Sequence, residues 1–370
     1  MYLQSLDIIN FKNYNEGQVE FCDHINCLVG LNGSGKTNLL DAIYYLSMTK
    51  SYFNSLDGQN IKKNEDFFVI NAEVQLEDKI RKYHCSLKKG EKKTFKVDGA
   101  EYEKMSEHLG KFPAVMIAPA DDELIRESND VRRKYFDSII AQTDKIYLAE
   151  LIRYNHHLKQ RNALLKSQPT GKKIDKILLE GYDRPMIESS KIIAQKRLEF
   201  IQRFEPIVEN NYELISEKRE NVNIEYKSKA LLNSFEEDFA NSYERDLILQ
   251  RTNVGVHKDE YLFTINDMAI KKFGSQGQQK SFLISLKLAQ FEFVKEQVGL
   301  TPVLLLDDIF DKLDDGRIGR MLEIITSSRF KQIFITDARE ERTMSLVTEK
   351  FNPVRVFRID ESGIKRVDVA

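Results

Sequence analysis

The sequence predicts an α/β fold: a mixed sheet carrying a phosphate-binding loop, an antiparallel sheet flanking it, and a helical second lobe inserted in the chain. Three observations predict it. Gly30-Leu31-Asn32-Gly33-Ser34-Gly35-Lys36-Thr37 matches the phosphate-loop pattern without mismatch. Val303-Leu304-Leu305-Leu306-Asp307-Asp308 is an apolar run closing on two carboxylates. Between Asp121 and Lys218 the pattern changes to helical apolar spacing.

Taken in order, Tyr2 to Phe11 alternates as a strand does, and Gly17–Phe21 reads as its hairpin partner. Ile25–Val29 is a short buried strand leading into the phosphate loop, and Asn38–Leu46 has the spacing of a helix leaving it. The residue types fit the chemistry. Gly30, Gly33 and Gly35 let the backbone turn its N–H groups inward and admit a polyphosphate that side chains would obstruct. Lys36 supplies a point charge for the β and γ phosphates, and Thr37 a hydroxyl for Mg²⁺. The helix that starts there points its dipole and free N–H groups at the anion. With Asn32, Ser34 and Asn38 these complete the nucleotide-contacting set expected from this stretch.

Three more strands follow, Phe67–Leu76, Lys79–Leu87 and Lys92–Val97, separated by polar turns and read as an antiparallel sheet. Pro113–Ile117 is a buried strand. In the insert, Val131, Tyr135, Phe136, Ile139 and Ile140 share one helical face, Gln168-Pro169-Thr170-Gly171 breaks the run, and a second helix extends from Ile174 to near Ile215. At about 1.5 Å per residue this builds a compact lobe or short hairpin, not a long coiled-coil arm. Strand character returns at Val222–Tyr226 and Tyr261–Ile265, on either side of a helix over Phe235–Leu249. The expected division is 1–118 with 221–370 as one lobe and 119–220 as the helical insert.

Composition excludes other classes. No apolar run approaches the roughly 18–20 residues of a membrane span, and the first residues lack the pattern of a signal peptide. Three cysteines, Cys22, Cys27 and Cys85, do not make a disulfide framework, so a reducing cytoplasm is expected. With 56 basic and 58 acidic residues, net charge −2, any nucleic-acid surface has to be local.

Asp307, at the end of its strand, is placed to hold the magnesium with Thr37; Asp308, pointing to the other side, to orient or deprotonate the attacking water. Gly274-Ser275-Gln276-Gly277-Gln278 opens a helix and offers a second anion site from a hydroxyl and free N–H groups. The chain has one phosphate loop. If both anion sites touch the same γ-phosphate, the economical geometry is two chains head to tail, each loop capped by the other chain's Ser275 and Gly277.

Phosphate loop, Ser-x-Gly-Gln turn and Leu-Leu-Leu-Asp-Asp, in that order, resemble the ABC-type ATPase superfamily. The details are similar to the RecF family of bacterial DNA replication and repair proteins. These are Ile9-Asn10-Phe11-Lys12-Asn13-Tyr14, Arg132-Arg133-Lys134-Tyr135-Phe136-Asp137, Arg251-Thr252 with Gly255 and His257-Lys258-Asp259, and Ser275-Gln276-Gly277-Gln278-Gln279. The resemblance implies an SMC-like ATPase head with a helical second lobe, dimerisation on ATP, binding to gapped or junction DNA, and work with RecO and RecR in loading RecA. On this reading Lys36, Asp307 and Asp308 are catalytic, and Ser275, Gln276, Gly277 and Gln278 join the nucleotide contacts. Lys79, Arg81, Lys82, Arg132 and Arg133 are the candidate DNA contacts, through phosphates rather than bases.

Some positions depart from the family pattern. Glu127-Ser128-Asn129-Asp130 stands where a Gly-x-Pro turn is usual, and Asp311-Lys312-Leu313-Asp314 replaces Ser-Glu-Leu-Asp. No glutamine follows the strand at Ala118-Pro119, and Thr336-Asp337 occupies the place of the transporters' histidine. Two competing readings are the ATPase subunit of a membrane transporter and a monomeric phosphate-loop kinase. The first finds no evident membrane-coupling surface, and the second leaves Ser275-Gln276-Gly277 without a role.

Overall fold

The computed structural model describes residues 1–167, 174, 176–216, 220–309, 323–324, 329–339, 353–360 and 363–367. The break at Gln168–Gly171 and the Asp311–Asp314 loop lie outside them. The chain divides into two units, Met1–Asp121 with Leu286–Ala370, and Asp122–Ser285.

The first unit holds two six-stranded sheets. One is antiparallel and runs β2-β1-β4-β5-β6-β7, with β1 Tyr2–Ile9, β2 Glu16–Glu20, β4 Phe67–Leu76, β5 Lys79–Lys88, β6 Thr94–Val97 and β7 Ala100–Glu101. The other runs β15-β14-β3-β13-β12-β8, with β3 Ile25–Val29, β8 Ala114–Ile117, β12 Val303–Leu306, β13 Ile333–Asp337, β14 Val354–Asp360 and β15 Gly363–Val367. Its strands are parallel except β15, which pairs antiparallel at the edge. β3, β8, β12 and β13 are buried along their whole length, which is why they read as continuous apolar runs rather than alternating ones.

Register places the site. Asp337 pairs with Val29, and Leu306 with both Ile335 and Ile117, so β3, β12 and β13 end along one edge of the sheet. The phosphate loop leaves β3 there and Asp307 follows β12. Helix α1, Lys36–Met48, is buried on almost every side because apolar residues of both sheets pack around it in one core. Phe11 and Phe68 meet Tyr45 edge to face, with centroids 6.0 and 5.5 Å away, and Phe21 meets Phe334 at 4.7 Å.

His108 lies in this core with Phe95 at 4.3 Å, its Nε2 2.6 Å from the carbonyl of Leu46. Burial pushes its pKa down to about 4 against the ordinary 6.5, and Nδ1 has no hydrogen-bond partner among the described residues, so protonation would strand a charge in an apolar site. Because the folded value is depressed, its contribution is complete above pH 6.5 and disappears as pH falls towards 4. That contribution is up to about 3 kcal/mol at about 1.4 kcal/mol per pKa unit. The melting temperature is therefore expected to fall across this window. A His108 ring resonance that titrates near 6.5 by NMR would refute the assignment.

The second unit combines helices with a small sheet. α2 (Glu123–Arg126) and α3 (Asn129–Thr143) precede a hairpin of α4 (Lys145–Ser167) and α5 (Lys176–Ser216), joined by Arg153–Glu188 and Ser189–Glu150 contacts. At 41 residues α5 is about 60 Å long, in keeping with a hairpin. After it come β9 (Val222–Lys227), α6 (Phe235–Asn241), α7 (Tyr243–Leu249), β10 (Glu260–Ile265), β11 (Met268–Ala269) and α8 (Ile270–Phe273), with α9 spanning Gln276–Val298.

Two expectations are corrected. The helix expected over Phe235–Leu249 is two helices, broken at Ser242, whose Oγ donates to the Phe239 carbonyl and to Asp246. More important, 221–285 belongs with the helices rather than with the ATPase lobe, and the unit boundary falls within α9. Packing explains it. Tyr261 of β10 lies 4.4 Å from Phe136 of α3, and Phe263 sits 6.1 Å from the same ring, while Phe136 also meets Phe200 and Phe204 of α5. The strands bury their inner face on the helices, so the second unit is α+β.

Candidate nucleotide site

The phosphate loop adopts the backbone its glycines permit: Gly30, Gly33 and Gly35 have φ of 152°, 82° and 116°. A Cβ on Gly30 would stand 2.2 Å from the Ile359 carbonyl, and one on Gly35 2.7 Å from Asn13 Nδ2, whereas Gly33 faces open space. The loop is held from behind by residues far away in sequence. Tyr14 donates to the Gly35 carbonyl at 3.1 Å, Asn13 to Ser34 at 3.2 Å, and Asn38 to Asn13 at 2.7 Å. Asn38 thus begins by fastening the loop. Sequence reasoning noted Asn13 and Tyr14 only for their resemblance, not for this contact.

Lys36 Nζ donates to the carbonyls of Gly30 and Leu31 at 2.8 and 3.0 Å, across the mouth of the loop. Thr37 Oγ1 donates to Asp307 at 2.8 and 3.0 Å, bringing together the two residues expected to share a metal. Thr336 donates to the same carboxylate at 2.8 Å, and its oxygen accepts from the backbone N–H of Asp308 at 3.0 Å. Thr336 therefore ties both acids to β13. The sequence marks Thr336 only as standing, with Asp337, in the place of the transporters' histidine; its bonds to the two acids follow from the fold. Burial raises the Asp307 pKa, and the hydrogen bonds from Thr336 and Thr37, with the Lys36 charge, partly offset the rise.

A buried carboxylate with incompletely compensated charge beside a hydroxyl is a hard-oxygen donor pair and fits Mg²⁺. Asp308 has φ 45°, a left-handed turn that aspartate tolerates better than most side chains. It lines a cavity of about 360 Å³ with Lys36, Thr37, Asp337 and Arg339. A second cavity of about 990 Å³, sharing Asn32, Gly33 and Ala338 with the first, is bordered by Tyr14, Arg358 and Asp360. Together they offer a polar space for phosphates and a larger one for a base and ribose.

In the second unit Ser275 and Gln278 form a reciprocal cap at the start of α9. The Gln278 N–H donates to Ser275 Oγ at 3.2 Å, and Gln278 Oε1 accepts from the Ser275 N–H at 2.6 Å. Gln278 Nε2 also donates to Glu220 at 2.8 Å. Ser275 and Gln276 are exposed. The Ser275 hydroxyl keeps its proton for an outside acceptor, and the amides of Gln276 and Gly277 sit in the first helical turn, where intrahelical partners are lacking.

The basic residues separate into those whose charge is used internally and those left outside. Arg132 is corrected as a DNA contact: it is buried and donates to the carbonyls of Leu124, Ile125 and Tyr261 at 2.8, 3.0 and 2.7 Å. Arg81 is paired with Asp98 at 2.7 Å and Lys82 with Glu73 at 3.3 Å. Lys79 is exposed at the start of β5, and Arg133 is tied to the Asp259 carbonyl and to Asp130. Among the described residues no helix is long and apolar enough to cross a membrane.

A phosphate loop after β3, an acid pair after β12 and a Ser-x-Gly-Gln turn opening α9 go with the fold of the ABC- and SMC-type ATPases. The chain matches the family described as RecF/RecN/SMC N terminal domain over residues 2–361. It is 46% identical to the DNA replication and repair protein RecF of Cytophaga hutchinsonii, covering 99% of this chain and 97% of that protein. The same protein of Flavobacterium johnsoniae is also 46% identical, with 97% and 100% covered. A solved structure of the recombination mediator protein RecF-ATP in the RecFOR pathway superposes with a TM-score of 0.88 at 30% identity, covering 99% of this chain and 98% of that one. A solved Smc head, at 14% identity and a TM-score of 0.56, shares the fold. The chain belongs to the RecF family of DNA replication and repair proteins.

Proposed function

We propose that the chain is an ATP-switched DNA clamp. Two copies sandwich two Mg-ATP molecules, the pair grips duplex DNA at gaps or junctions, and slow hydrolysis releases it, in work shared with RecO and RecR that leads to RecA loading. The observation that carries this reading is the chain of contacts Thr37–Asp307–Thr336–Asp308 beside the phosphate loop. It supports reading Thr37 with Asp307 as the metal-binding pair and Asp308 as the base, and the relative solved as RecF-ATP is similar over its whole length.

When bound, magnesium would supply charge neutralisation for the phosphates, held by Thr37 and Asp307. The loop amides and Lys36 bind the β and γ phosphates, with Lys36 exchanging its two loop carbonyls for phosphate oxygens. Asp308 orients the attacking water and accepts its proton. Its side chain is a methylene shorter than the usual glutamate, which favours slow turnover. Ser275 and the amides of Gln276 and Gly277 cap the γ-phosphate of the partner copy. The N-terminal ends of α9 in both copies thereby become part of the dimer interface.

Sedimentation of wild type, Lys36→Met and Ser275→Arg with and without ATP tests this. Wild type is expected to pair on ATP. Lys36→Met is expected to lose nucleotide binding, and Ser275→Arg to retain it and stay single. Wild type that binds ATP and remains monomeric at high concentration would rule the clamp out.

A further inference from the structure

The polar stretch 251–258 has far more internal support than an exposed loop needs. Gln250 ends α7 in the left-handed conformation, and the Arg251 N–H folds back to the Asp246 carbonyl. Thr252 bonds Asn162 through its amide and its hydroxyl, both at 2.8 Å, and accepts from buried Arg161 at 2.9 Å. Asn253 bonds Asp246 twice. His257 spans the loop, from Tyr154 Oη at 2.5 Å to the Thr252 carbonyl at 3.0 Å, and Arg197 reaches the Val256 carbonyl at 2.9 Å. Gly255, at φ 133°, leaves no room for a side chain: a Cβ would stand 2.3 Å from the Tyr154 hydroxyl. Buried polar networks of this kind are costly unless complete, and when complete they fix one geometry.

That fixed loop presents cations. Arg251 and Lys258 are exposed at its two ends, with Arg245 exposed on α7 beside them. Arg133 bonds the carbonyl of Asp259, one residue past Lys258. Among the described residues Arg245, Arg251 and Lys258 have no ion pair, in contrast to Arg81, Lys82, Lys88 and Lys89 of the first unit, each matched by an acid. Burial, then the charges of Arg251 and Arg133, lower the pKa of Lys258, and Asp246 opposes them only in part.

We propose that Arg245, Arg251 and Lys258 form a rigid cationic site that takes the phosphodiester backbone of duplex DNA, which moves the principal DNA contact from the β4–β5 hairpin to the second unit. The inference rests on the DNA-binding reading above. Backbone phosphate is the favoured ligand because the exposed charged groups named here are guanidinium and ammonium cations, which bind phosphate oxygens without reading sequence.

The test is fluorescence anisotropy with a labelled duplex and non-hydrolysable ATP across a salt series. Compared are wild type, Arg251→Glu with Lys258→Glu, the milder Arg251→Gln with Lys258→Gln, and Arg81→Glu with Lys82→Glu. Thermal melts confirm folding of each. The Arg251/Lys258 reversal is expected to weaken binding at least about tenfold, and the glutamine pair to flatten the log–log salt slope by roughly 2, near 0.9 per lost phosphate contact. Unchanged affinity and slope in both Arg251/Lys258 variants, with loss confined to the hairpin reversal, would overturn the site and leave DNA binding standing. Wild type that binds no duplex would overturn the functional reading, and the site with it.

Discussion

Asp308→Asn is expected to leave ATP binding and ATP-driven pairing intact while hydrolysis falls about 10²–10⁴-fold, the range general-base catalysis usually contributes. The substitution is nearly isosteric and keeps the left-handed turn, since asparagine shares aspartate's tolerance of positive φ. It also keeps the backbone N–H that bonds Thr336 at 3.0 Å, so Asp307 stays anchored. What is lost is the carboxylate proposed to accept the proton from water. Single-turnover hydrolysis with sedimentation on the same samples separates the two effects. A rate within a few-fold of wild type would assign the base elsewhere, and a monomeric variant would mean that Asp308 helps to build the interface rather than only the chemistry.

Arg197→Met is expected to cost about 3–5 kcal/mol of stability, the penalty for leaving buried charge without its partner. Arg197 is 2% exposed and donates to Asp137, to Asp259 at 2.7 Å, and to the Val256 carbonyl. Removing it leaves the carboxylates of Asp137 and Asp259 without their cation, held only by neutral donors such as the hydroxyls of Tyr147 and Tyr226. Adding Asp137→Asn and Asp259→Asn removes the stranded charges and is expected to recover a large part of the loss. Denaturant unfolding of the single and triple variants decides it. A single-variant cost below about 1 kcal/mol, the value of an exposed pair, would show that water reaches the network. Because the same arginine supports the 251–258 loop, the single variant is also expected to lose duplex affinity before it unfolds.

The residues of the candidate nucleotide site could be picked out in the sequence because the expected chemistry is written in contiguous residues. A phosphate loop needs its glycines, lysine and threonine at fixed spacing along one turn. An acid at the end of a buried strand is likewise a local pattern, and Ser275 with Gln278 is a capping pair within four residues. Strands β1, β2, β4, β5 and β6 could be placed by alternation and β3, β8 and β12 by unbroken apolar runs, whereas β7, β14 and β15, only partly buried or very short, were not read from the sequence.

Tertiary structure decided what depends on which distant groups meet. That Thr336 ties Asp307 to Asp308, and that Asn13 and Tyr14 hold the phosphate loop, follows from strand register and packing rather than from spacing along the chain. The allocation of 221–285 to the second unit came from Tyr261 and Phe263 finding Phe136. Most of all, the role of a basic residue is set by what lies within about 3 Å of it. Arg132 spends its guanidinium on three carbonyls, Arg81 and Lys82 are matched by acids, and Arg251 and Lys258 face outward. Charge is a property of the residue, but an available charge is a property of its surroundings, and only the folded chain supplies those.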